Sequence, residues 1–240
     1  MAGHSKWNNI KRKKEKTDGK RAKIFTKISR EIIVAVKEGG GDPSANHRLA
    51  TLIQKAKANN VPNDNIERLI KKAGGEDAGS FDEVVYEGYG PKGVAVIVRA
   101  ATDNRNRTAS DMRHYFDKYG GNLGSVGCVS YLFADCGTII VLRDGVDEDN
   151  LMEAALSFGA EDFITEEEVY IIKTPPSEVY TIQSQLEGAG FTIESAEAEK
   201  EPSTWVKLEN SEDIRLMNLL LSHIEDSDDV TEVFHNWEEE

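Results

Sequence analysis

The stretch Gly137–Glu197, GTIIVLRDGVDEDNLMEAALSFGAEDFITEEEVYIIKTPPSEVYTIQSQLEGAGFTIESAE, decides the fold, because it switches between two hydrophobic periods. Thr138–Leu142, Asp162–Thr165, Val169–Thr174 and Phe191–Glu197 are short β-rich runs. Leu151, Ala154, Ala155 and Phe158, and then Val179, Ile182 and Leu186, recur at helical spacing within Asn150–Phe158 and Ser177–Glu187. Period-2 runs alternate their side chains across a pleat, whereas a 3.6-residue period lines one face of a helix. The order is βαββαβ, the signature of a ferredoxin-like unit.

Outward from this unit the pattern is less complete. Upstream lie strands at Val84–Tyr86 and Val94–Ala101, a helix through Met112, Tyr115, Phe116 and Tyr119, and a strand near Val129–Phe133. Downstream lie a strand at Thr204–Leu208, a helix over Ser211–Ile224 and a strand at Val230–Phe234. Such a βαβ remnant is too small to stand alone. It completes a second ferredoxin-like unit if it pairs back with strands from 84–133. Further upstream, three amphipathic segments predict a small helical bundle. Phe25, Ile28, Ile32 and Val36 mark the first, stopped by Gly39–Pro43, and Leu49, Leu52, Ile53 and Ala56 mark the second, which follows Ser44. Ile66, Leu69, Ile70 and Ala73 mark the third, with Asp64 and Glu67 spaced as in a capping box. The expected class is therefore α+β: a mobile basic arm over 1–20, a three-helix bundle over 21–78, a discontinuous ferredoxin-like domain over 79–135 plus 201–240, and an inserted one over 136–200.

Charge is divided unevenly along the chain. Residues 1–80 hold 18 Lys and Arg against 9 Asp and Glu, a net of +9, while the remaining 160 hold 11 against 34, a net of −23. The sum, −14, conceals a basic segment at the front of an acidic body, an arrangement that presents one region to a polyanion and repels it with the rest. The two cysteines, Cys128 and Cys136, fit neither a disulfide framework nor a zinc site, and are expected as small core residues in a reducing setting. No apolar run approaches the roughly 20 residues of a membrane span. The basic N-terminus lacks the apolar segment of a secretory signal, and Glu15 and Asp18 interrupt it, unlike a transit peptide. The expected location is the cytoplasm, without membrane attachment.

The candidate nucleic-acid contacts are His4, Lys6, Trp7, Lys11, Arg12, Lys13, Lys14, Lys16, Lys20, Arg21, Lys23 and Lys27, with Arg105 and Arg107 as a second group. Clustered cations neutralise phosphates and release counterions, and an indole can stack on an unpaired base. The plain alternative, a solubilising charge run, explains little in a chain whose body already carries −23. Trp7 reads equally as a residue packed on the bundle. Arg68, Lys71 and Lys72 could follow a phosphate backbone, but no row of groove-reading side chains accompanies them. For Thr102–Thr108 the plain reading is a helix N-cap from Thr102 or Asp103, with Asp103 pairing to Arg107; the functional one adds a phosphate contact through Arg105 and Arg107, extended by Arg113.

Other motifs fail on context. Gly88–Gly93 matches G-x-G-x-x-G as a string, yet it enters a strand where a dinucleotide fingerprint must open a helix, so it reads as a tight connection between strands. Gly120–Gly124 reads as a helix stop and a turn. The five histidines form no metal-binding pattern, and Asp226, Asp228 and Asp229 read as a solvated turn. No enzymatic activity, cofactor or metal is implied.

Gly3-His4-Ser5-Lys6-Trp7, Phe25-Thr26-Lys27, Arg30-Glu31-Ile32, Gly39–Pro43, Glu87–Pro91, Asp103–Thr108 and Gly120–Gly124 together resemble the YebC/PmpR family, from residue 2 to His235-Asn236. The resemblance implies a helical bundle followed by two ferredoxin-like domains, the middle one discontinuous. It also implies a probable transcriptional regulator, DNA binding having been shown for some members. Other members, among them the mitochondrial translational activator of cytochrome c oxidase subunit I, act on the ribosome and ease synthesis through proline-rich stretches. The expected partner is therefore DNA or ribosomal RNA, with the ribosome itself as the alternative target. A small-ligand or enzymatic role in a cleft between the ferredoxin-like units is a further alternative, with Asp103, Arg105, Arg107 and Asp111 as its only local candidates. The acidic body could also dock a basic protein surface.

Overall fold

The computed structural model describes residues 21–75 and 80–238. The fold is α+β, with helices first and antiparallel sheets after them, as the sequence patterns indicate. Helices α1 (Arg21–Gly39), α2 (His47–Ala58) and α3 (Asn63–Ala73) form the bundle. Its core is Ile28, Ile32, Ala35, Val36, Leu49, Leu52, Ala56, Ile66 and Ala73, largely the residues whose spacing announces it. Phe25 keeps the helical spacing but lies 39% exposed, outside that core.

The bundle's turns are made differently from the expected caps. The buried Asn46 begins α2: its Oδ1 accepts from Leu49 N at 3.0 Å, and its Nδ2 donates to the carbonyls of Ala35 and Gly40, both at 2.8 Å. One amide thus satisfies the orphan groups of two helix ends at once. At α3 the N-cap is Pro62, without a side-chain bond, so Asp64 lies inside the first turn and the Asp64–Glu67 capping box does not form. Asp64 still favours the helix start through the macrodipole.

Two four-stranded sheets follow. The first has the order β3-β1-β2-β9, built from β1 (Asp82–Tyr89), β2 (Ala95–Thr102), β3 (Asn122–Leu123) and β9 (Val230–His235). Its strands pair antiparallel, with Tyr86 opposite Val98 and Val98 opposite Val233. Helices α4 (Arg105–Lys118) and α7 (Ser211–Asp226) supply Met112, Phe116, Met217, Leu220 and Ile224 to the core on one face. On the other face Ile97 and Ala95 are buried with Val129, beside Leu132 and Phe133. If β2-α4-β3 is taken as the first half of a ferredoxin-like unit, β1 and β9 occupy the places of its third and fourth strands. The sheet order is kept while the chain enters one strand early.

The second sheet has the order β5-β6-β4-β7 and comprises β4 (Phe133–Leu142), β5 (Asp162–Thr165), β6 (Val169–Thr174) and β7 (Ser195–Pro202). Helices α5 (Glu148–Ser157) and α6 (Val179–Gly188) cover Ile139, Val141, Tyr170 and Ile172. This is the complete ferredoxin-like order.

Three sequence expectations shift. Val129–Phe133 is a single 3₁₀ turn over Ser130–Leu132 leading into β4, because Val129 tucks beneath the first sheet and no partner strand extends past Leu123. Phe191 and Ile193 pack on the second core from a loop, and the last strand starts at Ser195. Thr204–Leu208 contributes only β8 (Val206–Lys207), which pairs in parallel with β10 (Trp237–Glu238), apart from either four-stranded sheet. The side chain of Asn236 holds this end in place, accepting from Ala95 N at 2.7 Å and donating to Thr204 O at 3.0 Å. Cys128 and Cys136 are half-buried thiols, Cys128 packing against the Ala95, Ile97 and Val129 cluster without being fully buried in it. No described helix is long and apolar enough to cross a membrane.

Candidate nucleic-acid interface

Nine of the candidate contacts, His4, Lys6, Trp7, Lys11, Arg12, Lys13, Lys14, Lys16 and Lys20, lie outside the described residues. Arg21 opens α1. Lys23 and Lys27 follow on that helix one turn apart, so they share a face. Lys23 Nζ lies 2.9 Å from Asp226 Oδ1, and Lys27 Nζ donates to Glu225 O at 3.0 Å. The hydrogen bond to Asp226 raises the Lys23 pKa. Both lysines therefore meet the C-terminal end of α7, where carbonyls and the helix dipole favour cations.

Arg105 and Arg107 come from the first turn of α4, whose N-cap is Asn104; its Oδ1 accepts from Arg107 N at 3.1 Å. The cap thus falls one or two residues beyond Thr102 and Asp103, since the Thr102 hydroxyl is engaged in accepting from Asn104 N at 3.0 Å. Arg105 Nε donates to Asp82 Oδ2 at 2.8 Å and stays largely exposed. Arg107 pairs with Asp103 at 2.7 Å, as its spacing predicts, and with Asp229 at 2.8 Å.

Asp229 was legible only as part of a solvated turn, and the structure corrects that reading. It is 6% exposed, and its carboxylate is a node. Arg30 donates to Oδ1 from α1, while Oδ2 accepts from Arg107, from the Thr108 hydroxyl at 2.7 Å and from the Thr102 hydroxyl at 3.2 Å. Burial alone would raise this carboxyl, but the bonds from Arg107, Thr108 and Arg30 outweigh it and hold the pKa at about 2. Arg107 is in turn raised, first by its bond to Asp229 and then by Asp103.

A second ionic cluster joins the bundle to the same sheet. Lys55 Nζ lies 3.1 Å from Glu31 and 2.9 Å from Glu232, which also accepts from Arg99 at 2.9 Å. Burial, ahead of the Glu232 charge, pushes Glu31 up despite Lys55. Burial opposes ionisation of Glu232 too, but Lys55 and then Arg99 prevail and hold it down. Arg48 adds contacts of 2.7 Å to Glu38 and 2.6 Å to Glu83.

Much of the described cationic charge near the bundle is thus committed to holding α1 and α2 on the first sheet. The exposed Lys37, Lys57, Lys71 and Lys72 have no ion-pair partner among the described residues and keep their charge for solvent or an external anion. Sequence reasoning missed Arg30, Lys55 and Asp229 as interacting residues because the partners are distant: 199 positions separate Arg30 from Asp229 and 177 separate Lys55 from Glu232.

Comparison with known proteins agrees over nearly the whole chain. Residues 5–76 match the family model described as the TACO1/YebC protein N-terminal domain, and residues 81–237 match that of the TACO1/YebC second and third domain. A relative from Acetivibrio thermocellus is 54% identical over 239 residues, covering 99% of each chain. One from Persephonella marina is 54% identical over 240 residues, covering 99% of this chain and 96% of its own. Both are named "Probable transcriptional regulatory protein". The crystal structure of a conserved hypothetical protein from Aquifex aeolicus superposes with a TM-score of 0.78 at 49% identity, covering 94% of both chains. With both of its segments matched and its relatives near half identical end to end, the chain belongs to the TACO1/YebC family.

Proposed function

We propose that this chain regulates gene expression by binding nucleic acid through its basic N-terminal region, as a transcriptional regulator on DNA. The observation that carries the reading is the charge division: +9 over residues 1–80 against −23 over the remainder. Phosphates are drawn to one segment of the chain and repelled by the rest, which favours binding through that segment. The relatives' names support a regulatory role. A binding role, not catalysis, is the reading the charge pattern favours.

A second reading has its own support. The segment 6–27 mixes many lysines with a single indole, and α3 lacks a row of base-reading side chains, which suits an irregular RNA surface better than a duplex groove. On that reading the protein is a ribosome-associated translation factor that eases synthesis through proline-rich stretches. Sucrose-gradient sedimentation of a DNase-treated lysate separates the two. Wild type travelling with ribosomes, and a Lys11/Arg12/Lys13/Lys14→Glu variant staying at the top, supports translation. Wild type remaining at the top with the variant removes support for stable ribosome binding and makes promoter DNA the next target to test.

A further inference from the structure

The segment Tyr119–Ala134 contains no Asp, Glu, Lys or Arg, in a chain of which 30% is charged. Within it lie the two most exposed large apolar side chains among the described residues, Val126 at 74% and Tyr131 at 73%. A lone exposed apolar residue needs no explanation. Two of them, on one loop held from beneath by a buried charge, do.

The charge is Glu87 on β1, 2% exposed. Its Oε1 accepts from Gly127 N at 2.8 Å, and its Oε2 accepts from Val129 N and Ser130 N, both at 2.9 Å. Burial acts against the charged form, but these three N–H groups more than offset it and lower the pKa. The Glu87 carbonyl also accepts from Gly124 N at 2.8 Å, and the Tyr89 hydroxyl donates to Cys128 O at 3.0 Å. Gly127 takes φ +92°, which a side chain would strain. The loop is consequently rigid at its base, with its backbone polar groups turned inward and its tip uncharged.

We infer that this loop is a second contact surface, on which Tyr131 takes an unpaired base of a nucleic acid. The inference rests on the nucleic-acid reading above and deepens it. An exposed phenol offers a π-face to any base, and glycine-rich backbone permits close approach. An acidic rim would repel the flanking phosphates, and this segment has none. Folded RNA presents splayed bases in loops and bulges, where such a platform is used. Preorganisation by Glu87 means that little loop entropy is lost on contact.

The test uses the full chain, with a short fluorescein-labelled single-stranded RNA, its duplex and the matching DNA strand as probes, read by anisotropy. Tyr131→Ala should weaken single-strand RNA binding by about fivefold or more, the effect of losing one stacked base. Tyr131→Phe should bind like wild type, because the ring and not the hydroxyl is used. Duplex affinity and the salt slope should not change in either variant, since no phosphate contact is lost. Equal affinity of wild type and Tyr131→Ala for the single strand would overturn the base assignment, leave the basic-region reading standing, and give the tip to a protein partner. An equal Tyr131 dependence on the DNA strand would show that the ring takes an unpaired base of either nucleic acid, and an equal dependence on the duplex would overturn the assignment to an unpaired base. Failure of wild type to bind any probe would remove both readings.

Discussion

The two four-stranded sheets reach the same strand order by different means. The second is continuous in sequence, and residues 134–201 carry 17 Asp and Glu against 3 Lys and Arg. Most of those acids are exposed or half-exposed, and the unit is held by an apolar core around Ile139, Leu151, Ile172 and Leu186. The first is assembled from segments more than a hundred residues apart, and residues 81–133 hold 6 acids and 6 bases. It too has an apolar core, but its β9 edge also carries Asp229 and Glu232, which meet cations from α1 and α2. Local chain continuity lets one sheet be closed by hydrophobic burial, its ion pairs Lys173–Glu201 and Lys200–Asp135 linking strands of the same sheet. The discontinuous one uses buried ion pairs to fix which helices sit on it, a role in specificity that does not require net stabilisation by the pairs themselves.

Core truncation is the largest perturbation and should act on both sheets. Phe116→Ala in the first is expected to cost about 4 kcal/mol, and Leu151→Ala in the second about 3 kcal/mol, both side chains being fully buried. Denaturant titration checks each, and a loss below about 1 kcal/mol at Phe116 would mean that α4 is not seated as described.

The next effect should appear in one sheet only. Asp229→Ala removes the shared acceptor of Arg30 and Arg107 and is expected to cost about 3 kcal/mol. Glu153→Ala, an exposed acid on α5, should leave the melting temperature unchanged. If both substitutions prove equally mild, the contrast between the sheets fails.

A pH titration sharpens the same contrast. The Asp229 carboxyl is lowered from 3.8 to about 2, so its contribution is fully present above pH about 4 and is lost as pH falls through about 2. The size is about 2 kcal/mol for a shift of this kind. Wild type should therefore lose its advantage over Asp229→Asn across that window, measured as a converging unfolding midpoint. A constant difference down to pH 2 would show that the carboxylate's charge is not what holds the node. The smallest change is expected for Lys23→Ala, whose partner Asp226 is exposed on a screened surface; no shift in melting temperature should be detectable.

Legibility in the sequence followed chain continuity. In the second sheet β5 and β6 could be read to the residue, because each run is bounded by polar turns, whereas β4 begins earlier and β7 later than their apolar runs indicate. In the first, the need of a βαβ remnant for a partner pointed to pairing with strands from 84–133 but not to β2 as the partner, and the small contribution of Thr204–Leu208 was not legible, since a two-residue bridge carries no periodicity. Helix ends fared worse. Asn46 caps α2 through a side chain whose other bonds reach back to Ala35 and Gly40, contacts that no local pattern encodes. Asp103–Arg107 was readable at i,i+4, but the deeper attachment of Arg107 to Asp229 spans 122 positions. Glu87 gave no sign in the sequence, because a carboxylate that caps a distant loop resembles any other acid on a strand.

The central claim is that the basic N-terminal region delivers nucleic-acid binding while the acidic remainder opposes it. Its most direct test is the salt dependence of RNA affinity for the intact protein and for the Lys11/Arg12/Lys13/Lys14→Glu variant. For wild type, log Kd should rise linearly with log salt, each neutralised phosphate contributing about 0.7 on a single strand. The variant should bind far more weakly at low salt and show a slope smaller by up to about 2.8, the share of four lost cations. Equal slopes and affinities for the two proteins would contradict the account, for phosphate recognition would then lie outside the segment on which the charge division rests.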